Sequence, residues 1–326
     1  MVYSASWFAS IKKFINLIKP DIILIAVIIF FPLLYFYKNI LSYLNIHLYS
    51  RMPTSKPQKM VVFDLDETLG CFVELGIFWD ALENYYGHNL FKEKFFEMTD
   101  IFPEFFRPNI FKILDFVHRQ KRANKCSKLV IYTNNQGPKS WVRMISDYLN
   151  FKLGHTVFDL IIPAYKVGGK IIEPNRTTHD KSIDDLFRCT KMPKTTEVCF
   201  IDDLYHPLMK TDNVCYINIK PYHFSMPFDT MATRYYDMVI AKSAQNIKAN
   251  AIVPDKTEFV THIVKFMKHY NYIIANKGEE ERKTDKQISK ELLSYLEEFF
   301  KKGNIKNTRK NRMIKLRKTR SARKMF

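Results

Sequence analysis

The sequence has little of what would mark a disulfide-stapled, zinc-bound or repetitive protein. Its 326 residues include five cysteines, Cys71, Cys126, Cys189, Cys199 and Cys215. The number is odd, no two form a C-x-x-C pair, and no histidine follows at zinc-ligand spacing, which argues against both a disulfide framework and a structural zinc site. Cys199 and Cys215 fall in apolar runs, where cysteine acts as a small buried residue, and free thiols imply a reducing compartment. No internal repeat is visible, so a solenoid or propeller is not expected. Acidic residues are missing from position 301 onward, a stretch with twelve Lys or Arg; of the formal charge of +18, the first 300 residues therefore carry only +6. The basic balance belongs to a tail and not to the fold. From Gly303 onward that tail has too few apolar residues to bury and is expected to be disordered alone. With Phe326 as its only aromatic it offers no stacking platform, which leaves anionic lipid, nucleic acid or a targeting receptor as its partner.

The rest of the chain is apolar enough to fold: 47% of residues are hydrophobic and 15% aromatic, and the length suits one catalytic domain with extensions. Residues 22–37 form a run without charge, preceded by Trp7, Phe8, Ile11, Phe14, Ile15 and Ile18 on one helical face. Sixteen residues fall short of the ~20 that cross a bilayer, but Ile40, Leu41 and Leu44 extend the run past a snorkelling Lys38. A membrane anchor is expected in residues 1–50, either spanning or lying in one leaflet bent at Pro32. A cleaved signal peptide lacks its small-residue site, and a core helix this apolar is uncommon at a terminus. Basic residues on the C-terminal side, Lys38, Arg51, Lys56 and Lys59, place the remainder of the chain on the cytosolic side.

After a polar linker over 51–58, short β-rich runs alternate with helical stretches, the pattern of an α/β fold. Strands are expected at 60–63, 129–132, 157–162, 198–201 and 214–219. Several are apolar without alternation, as a doubly wound, mainly parallel sheet requires. The catalytic domain is expected to span 59–240, with helices at 256–274 and 284–302 in a C-terminal segment, 241–302, and the basic tail at 303–326.

Three expected strand ends carry chemistry. The first delivers Asp64 and Asp66, two carboxylates that repel each other unless a hard divalent cation such as Mg²⁺ neutralises them. The second ends in Thr133, Asn134 and Asn135, a hydroxyl and backbone N–H groups able to hold phosphate oxygens. Lys181 stands at the start of a helix, about twenty residues ahead of a third strand that ends in Asp202 and Asp203. Singly each has an ordinary explanation, such as a helix cap or a turn residue. Together they bring metal-binding acids, a phosphate-binding hydroxyl and a cation to the carboxyl ends of neighbouring strands, where open α/β sheets bind ligands.

In these positions the sequence resembles the haloacid-dehalogenase-like (HAD) superfamily, whose four motifs match Asp64-x-Asp66-x-Thr68, Thr133, Lys181 and Asp202-Asp203. DLDETL and the Arg-Pro segment at 105–116 look like the FCP/SCP-type, NLI-interacting-factor-like phosphatases, and the resemblance covers about 58–240. It implies that Asp64 attacks phosphorus to form an aspartyl-phosphate and that Asp66 acts as acid and then as base. Mg²⁺ would be held by Asp64, the Asp66 carbonyl and the Asp202-Asp203 pair, with Asp203 in direct contact. Lys181, Thr133 and Asn134 would grip the phosphoryl oxygens. Thr-Asn-Asn stands where the family usually has Thr-Ala-Ser, and Gly70-Cys71 where it usually has Val-His. Only 47 residues separate Thr133 from Lys181, room for a short hairpin but not a large cap. An open site and a tether suit a phosphoprotein substrate, as in Dullard-type membrane phosphatases of similar layout. The alternatives are a silent tether or receptor that keeps the fold, and a phosphatase of nucleic-acid ends or small metabolites.

Overall fold

The computed structural model describes residues 58–87, 92–240, 254–274, 277–301 and 314–316. The anchor expected in 1–50 and most of the basic tail lie outside these. Among the described residues no helix is long and apolar enough to cross a membrane.

Six strands form one sheet: β1 (Lys59–Phe63), β2 (Lys128–Tyr132), β3 (Leu160–Ile162), β6 (Glu197–Asp202), β7 (Val214–Ile219) and β8 (Ile314–Leu316). Their order is β3-β2-β1-β6-β7-β8 and every pair is parallel. The chain winds outward from β1 to β3 on one side and from β6 onward on the other. The crevice between β1 and β6, at the carboxyl ends, is therefore the switch point where such sheets bind ligands. A two-stranded antiparallel hairpin, β4 (Lys166–Val167) and β5 (Lys170–Ile171), turns through Gly168 and Gly169, both at positive φ. This is the short hairpin expected between Thr133 and Lys181, and that interval holds no larger insertion.

Both sheet faces are buried, which explains the unbroken apolar strands. Val61, Phe63, Leu129, Ile131, Cys199, Ile201 and Ile217 face one core, while Met60, Val62, Val130, Tyr132, Val198 and Phe200 face another. Against the first pack α1 (Val73–Tyr86), α2 (Lys92–Asp100), α3 (Ile110–Arg122), α4 (Lys139–Leu153), α6 (Phe228–Tyr235), α7 (Lys256–Lys268) and α8 (Glu279–Lys301); α5 (Ile183–Thr190) covers the second.

Four differences from expectation exceed one residue. The strand expected at 157–162 begins at Leu160, because Val157 still belongs to the turn after α4, where its N–H donates to Asn150 Oδ1 at 2.7 Å. The helix expected to end at 274 stops at Lys268. The helix expected from 284 starts at Glu279, because Glu279, Glu280 and Glu281 suit the positive end of a helix and form its first turn. Ile314–Leu316, within the stretch expected to be disordered alone, pairs with Ile217–Ile219 as the edge strand β8.

Candidate active site

Asp64 follows β1 directly, its N–H donating to Ile201 O at 2.9 Å, and is 7% exposed. The chain then makes a tight loop: Glu67 sits at φ 59, the Glu67 N–H donates to Gly70 O, and Gly70 bridges both Asp66 and Phe106. A side chain at position 70 would lie 2.4 Å from the Phe72 ring and 2.5 Å from the Phe105 carbonyl. Glycine is thus required where the resembling family usually carries valine.

Asp64, Asp202 and Asp203 are all buried, and each can place a carboxylate oxygen within 4.8 Å of the others, so the three could hold a metal ion. Lys181 joins them. It immediately precedes the cap of α5, where Ser182 Oγ accepts from Asp185 N, and its ammonium contacts Asp64 Oδ1 and lies 2.7 Å from Asp202 Oδ2. The other Asp202 oxygen accepts from Leu204 N at 2.9 Å, which anchors the loop after β6. Asp203 accepts from Thr68 Oγ1 at 3.0 Å through Oδ1 only. Three buried carboxylates facing one ammonium leave two surplus negative charges, and the oxygen donors are hard. A divalent cation therefore fits the site.

The electrostatics follow from burial. Burial pushes the Asp64 carboxyl well above the usual range, against the pull of Lys181. It also pushes Asp203 up to about 6, with Asp202 adding to the rise. For Asp202 burial acts upward, but Lys181 and His206 prevail and its carboxyl is held below the usual range. Lys181 is disfavoured by burial yet held above its ordinary value by the two acids.

Asp66 meets the loop after β2: Asn135 Nδ2 donates to Asp66 Oδ2 at 2.7 Å, while Asp66 Oδ1 is buried with no hydrogen-bond partner. Burial raises the Asp66 carboxyl, opposed by the Asn135 bond. Thr133 is buried and accepts from the Asn135 N–H at 3.0 Å. The Asn134 carbonyl oxygen Oδ1 is turned away, accepting from Arg176 at 2.7 Å.

Three further residues hold these loops, and of them only Arg107, in the Arg-Pro segment, was marked in the sequence. Arg107, 1% exposed, donates to Thr68 O and Glu67 O, each at 2.6 Å, and to Lys220 O at 2.9 Å. Arg176, equally buried, donates to Thr133 O at 3.0 Å, Pro163 O at 2.8 Å and His179 O at 2.9 Å. Asn218 donates to the carbonyls of Asp202, Asp203 and Leu204 at 2.9–3.1 Å. Each loop that carries an acid or hydroxyl is thus clamped by one buried donor. Asn135 had a visible signal in Thr-Asn-Asn and Arg107 in the Arg-Pro segment; Arg176 and Asn218 had none.

The sequence-expected residues Asp64, Asp66, Lys181, Asp202 and Asp203 meet at one crevice, with Thr133 at its β2 side. Compared with known proteins, the chain matches no family model, no curated protein and no solved structure.

Proposed function

We propose that this protein is a Mg²⁺-dependent phosphomonoesterase that works through an aspartyl-phosphate on Asp64, acting on phosphoserine or phosphothreonine in proteins. The observation that carries the reading is the joint geometry of Lys181 between Asp64 and Asp202, with Asp66 Oδ1 left unpartnered beside them. Lys181 occupies Asp64 Oδ1, which leaves Oδ2 to attack phosphorus in line. Burial favours the protonated form of Asp66, and because Asn135 fixes Oδ2, the proton belongs on Oδ1, from which it passes to the departing serine or threonine oxygen. Asp66, now ionised, takes a proton from the water that attacks the phosphorus of the intermediate, which returns Asp64 as a carboxylate.

Asp64, the Asp66 carbonyl and the Asp202-Asp203 pair, with Asp203 in direct contact, would hold the Mg²⁺. When bound, it supplies positive charge to the phosphoryl oxygens and offsets the surplus of the acid cluster. Lys181 and the N–H groups after β2 would bind the same oxygens. Asn134 contributes its backbone, since its side chain serves Arg176. The short β4–β5 hairpin leaves the crevice open, which suits a protein chain. The apolar N-terminal run and the basic tail would keep the domain at a membrane, its site facing the cytosol.

The test is phosphate release from a phosphoserine peptide by the full chain. Turnover should require Mg²⁺, stop with EDTA and be lost in Asp64→Asn. Equal activity in Asp64→Asn would sink the reading.

A further inference from the structure

The segment after residue 277 lies beyond the expected catalytic domain, yet it reaches the loop that carries Asp64 and Asp66. Asp285, on the second turn of α8, is 1% exposed and ion-paired with Lys277. Lys277 Nζ also donates to His223 O at 2.7 Å and lies 4.4 Å from the centre of the Tyr222 ring. Arg107 lies against the same ring, with its guanidinium carbon 5.5 Å from the centre. The Tyr222 N–H donates to Glu67 O at 2.8 Å, so Glu67 O receives both Tyr222 and Arg107. In this cluster Arg107 Nη1 and Asp285 Oδ1 are both buried without a hydrogen-bond partner. Burial lowers Arg107 to about 10, and the charge that most opposes this is Asp285.

A continuous path thus runs from α8 to a metal-binding acid. Asp285 and Lys277 fix Tyr222 and Arg107, these hold the Glu67 and Thr68 carbonyls, and the Thr68 hydroxyl donates to Asp203. Glu67 needs such support, because a non-glycine residue at φ 59 persists only where its surroundings hold it there. Resting on the phosphatase reading for its consequence but not for its geometry, we infer that Asp285 is a positioning residue. As partner of Lys277, which lies over the same Tyr222 ring as Arg107, it keeps the Asp64–Gly70 loop in the shape that presents Asp203 and Asp64 to the cation. Helix α8 is therefore part of the active-site support.

The experiment compares the full chain with Asp285→Asn, Lys277→Gln and the control Ile288→Val. Ile288 is a buried residue of α8, and its trimming loosens the helix without touching Arg107. Two readouts are taken: hydrogen exchange of the peptide covering residues 65–71, and Mg²⁺ affinity by calorimetry, with kcat and KM for p-nitrophenyl phosphate alongside. Asp285→Asn should speed exchange of the loop and weaken Mg²⁺ binding or lower kcat by roughly 10–100-fold at unchanged KM, the size expected for a residue behind a metal ligand. Lys277→Gln should move the same readouts in the same direction by less. Ile288→Val should lower only the thermal midpoint. Unchanged loop exchange and unchanged Mg²⁺ affinity in both Asp285→Asn and Lys277→Gln would overturn the inference. If the wild-type chain turned over no phosphomonoester, the phosphatase reading would fail, and loop exchange alone would still decide the role of Asp285.

Discussion

Replacing Lys181 with Met removes the ammonium that touches both Asp64 and Asp202 and lies 5.8 and 6.0 Å from the Tyr132 and Phe200 ring centres, while keeping an unbranched side chain of similar length. All three charged groups are at most 7% exposed, so solvent cannot take over the role of the ammonium. Breaking a buried ion pair by removing one partner costs about 3–5 kcal/mol. That range is the expected loss of unfolding free energy near neutral pH in EDTA. The sign with pH follows from linkage. Without Lys181 both carboxylates have folded pKa values above their unfolded ones. Their protonated forms then stabilise the folded state at low pH, and this is lost as pH rises through the folded values. The gap between wild type and Lys181→Met should therefore narrow on acidification, and Mg²⁺ should also narrow it, because the variant's carboxylates have no ammonium to neutralise them and bind the cation more tightly in the folded state. Urea unfolding followed through Trp79 and Trp141, both buried in the larger core, measures the gap. A gap below about 1 kcal/mol at neutral pH, or one that widens toward acid, would refute the placement of Lys181 as the internal counter-ion.

Three further outcomes are expected. Asp66→Asn should lower turnover of a phosphoserine peptide by about 10²–10⁴-fold and that of p-nitrophenyl phosphate by much less, since nitrophenolate leaves without a proton; equal losses on both would remove Asp66 as the acid. Gly70→Ala should destabilise the chain by about 1–3 kcal/mol, read as a lower thermal midpoint, because its Cβ would press on the Phe105 carbonyl as well as on Phe72. Glu74 is buried on α1, accepts from Met226 N, and is pushed up to about 7 by burial. Its folded pKa exceeds the unfolded one, so stability falls as pH rises through that window, by up to about 3 kcal/mol. Glu74→Gln should flatten this slope, and an unchanged slope would assign the pH dependence to other groups.

The sheet was legible because its strands are buried on both faces and so stand as unbroken apolar runs such as MVVF and LVIY. The acids were legible because each follows such a run directly. Lys181 was legible from its neighbours, since Ser182 and the acids after it announce a helix start. What the sequence hid were the supports. Arg107 was visible only as part of the Arg-Pro segment, and Arg176 bears a charge usually found in solvent. Nothing local says that their partners include carbonyls tens of residues away, those of Thr68, Glu67 and Lys220 for Arg107 and that of Thr133 for Arg176. Asn218 reads as one polar interruption of VCYINI, although that place on β7 puts it under the Asp202–Leu204 loop. The role of α8 was hidden for a related reason. The charged stretch at its start has the composition of a linker, and only the tertiary contact of Lys277 and Asp285 with Tyr222 and Arg107 makes it part of a core.

The most direct test of the central claim is covalent capture. The full chain with Mg²⁺ is mixed with a phosphomonoester, quenched in acid and analysed by peptide mass spectrometry. The account predicts a phosphoryl adduct on the peptide containing Asp64, absent in Asp64→Asn and accumulating in Asp66→Asn when the leaving group needs no proton. Turnover of the same substrate with no adduct at Asp64, or an adduct that persists in Asp64→Asn, would contradict it.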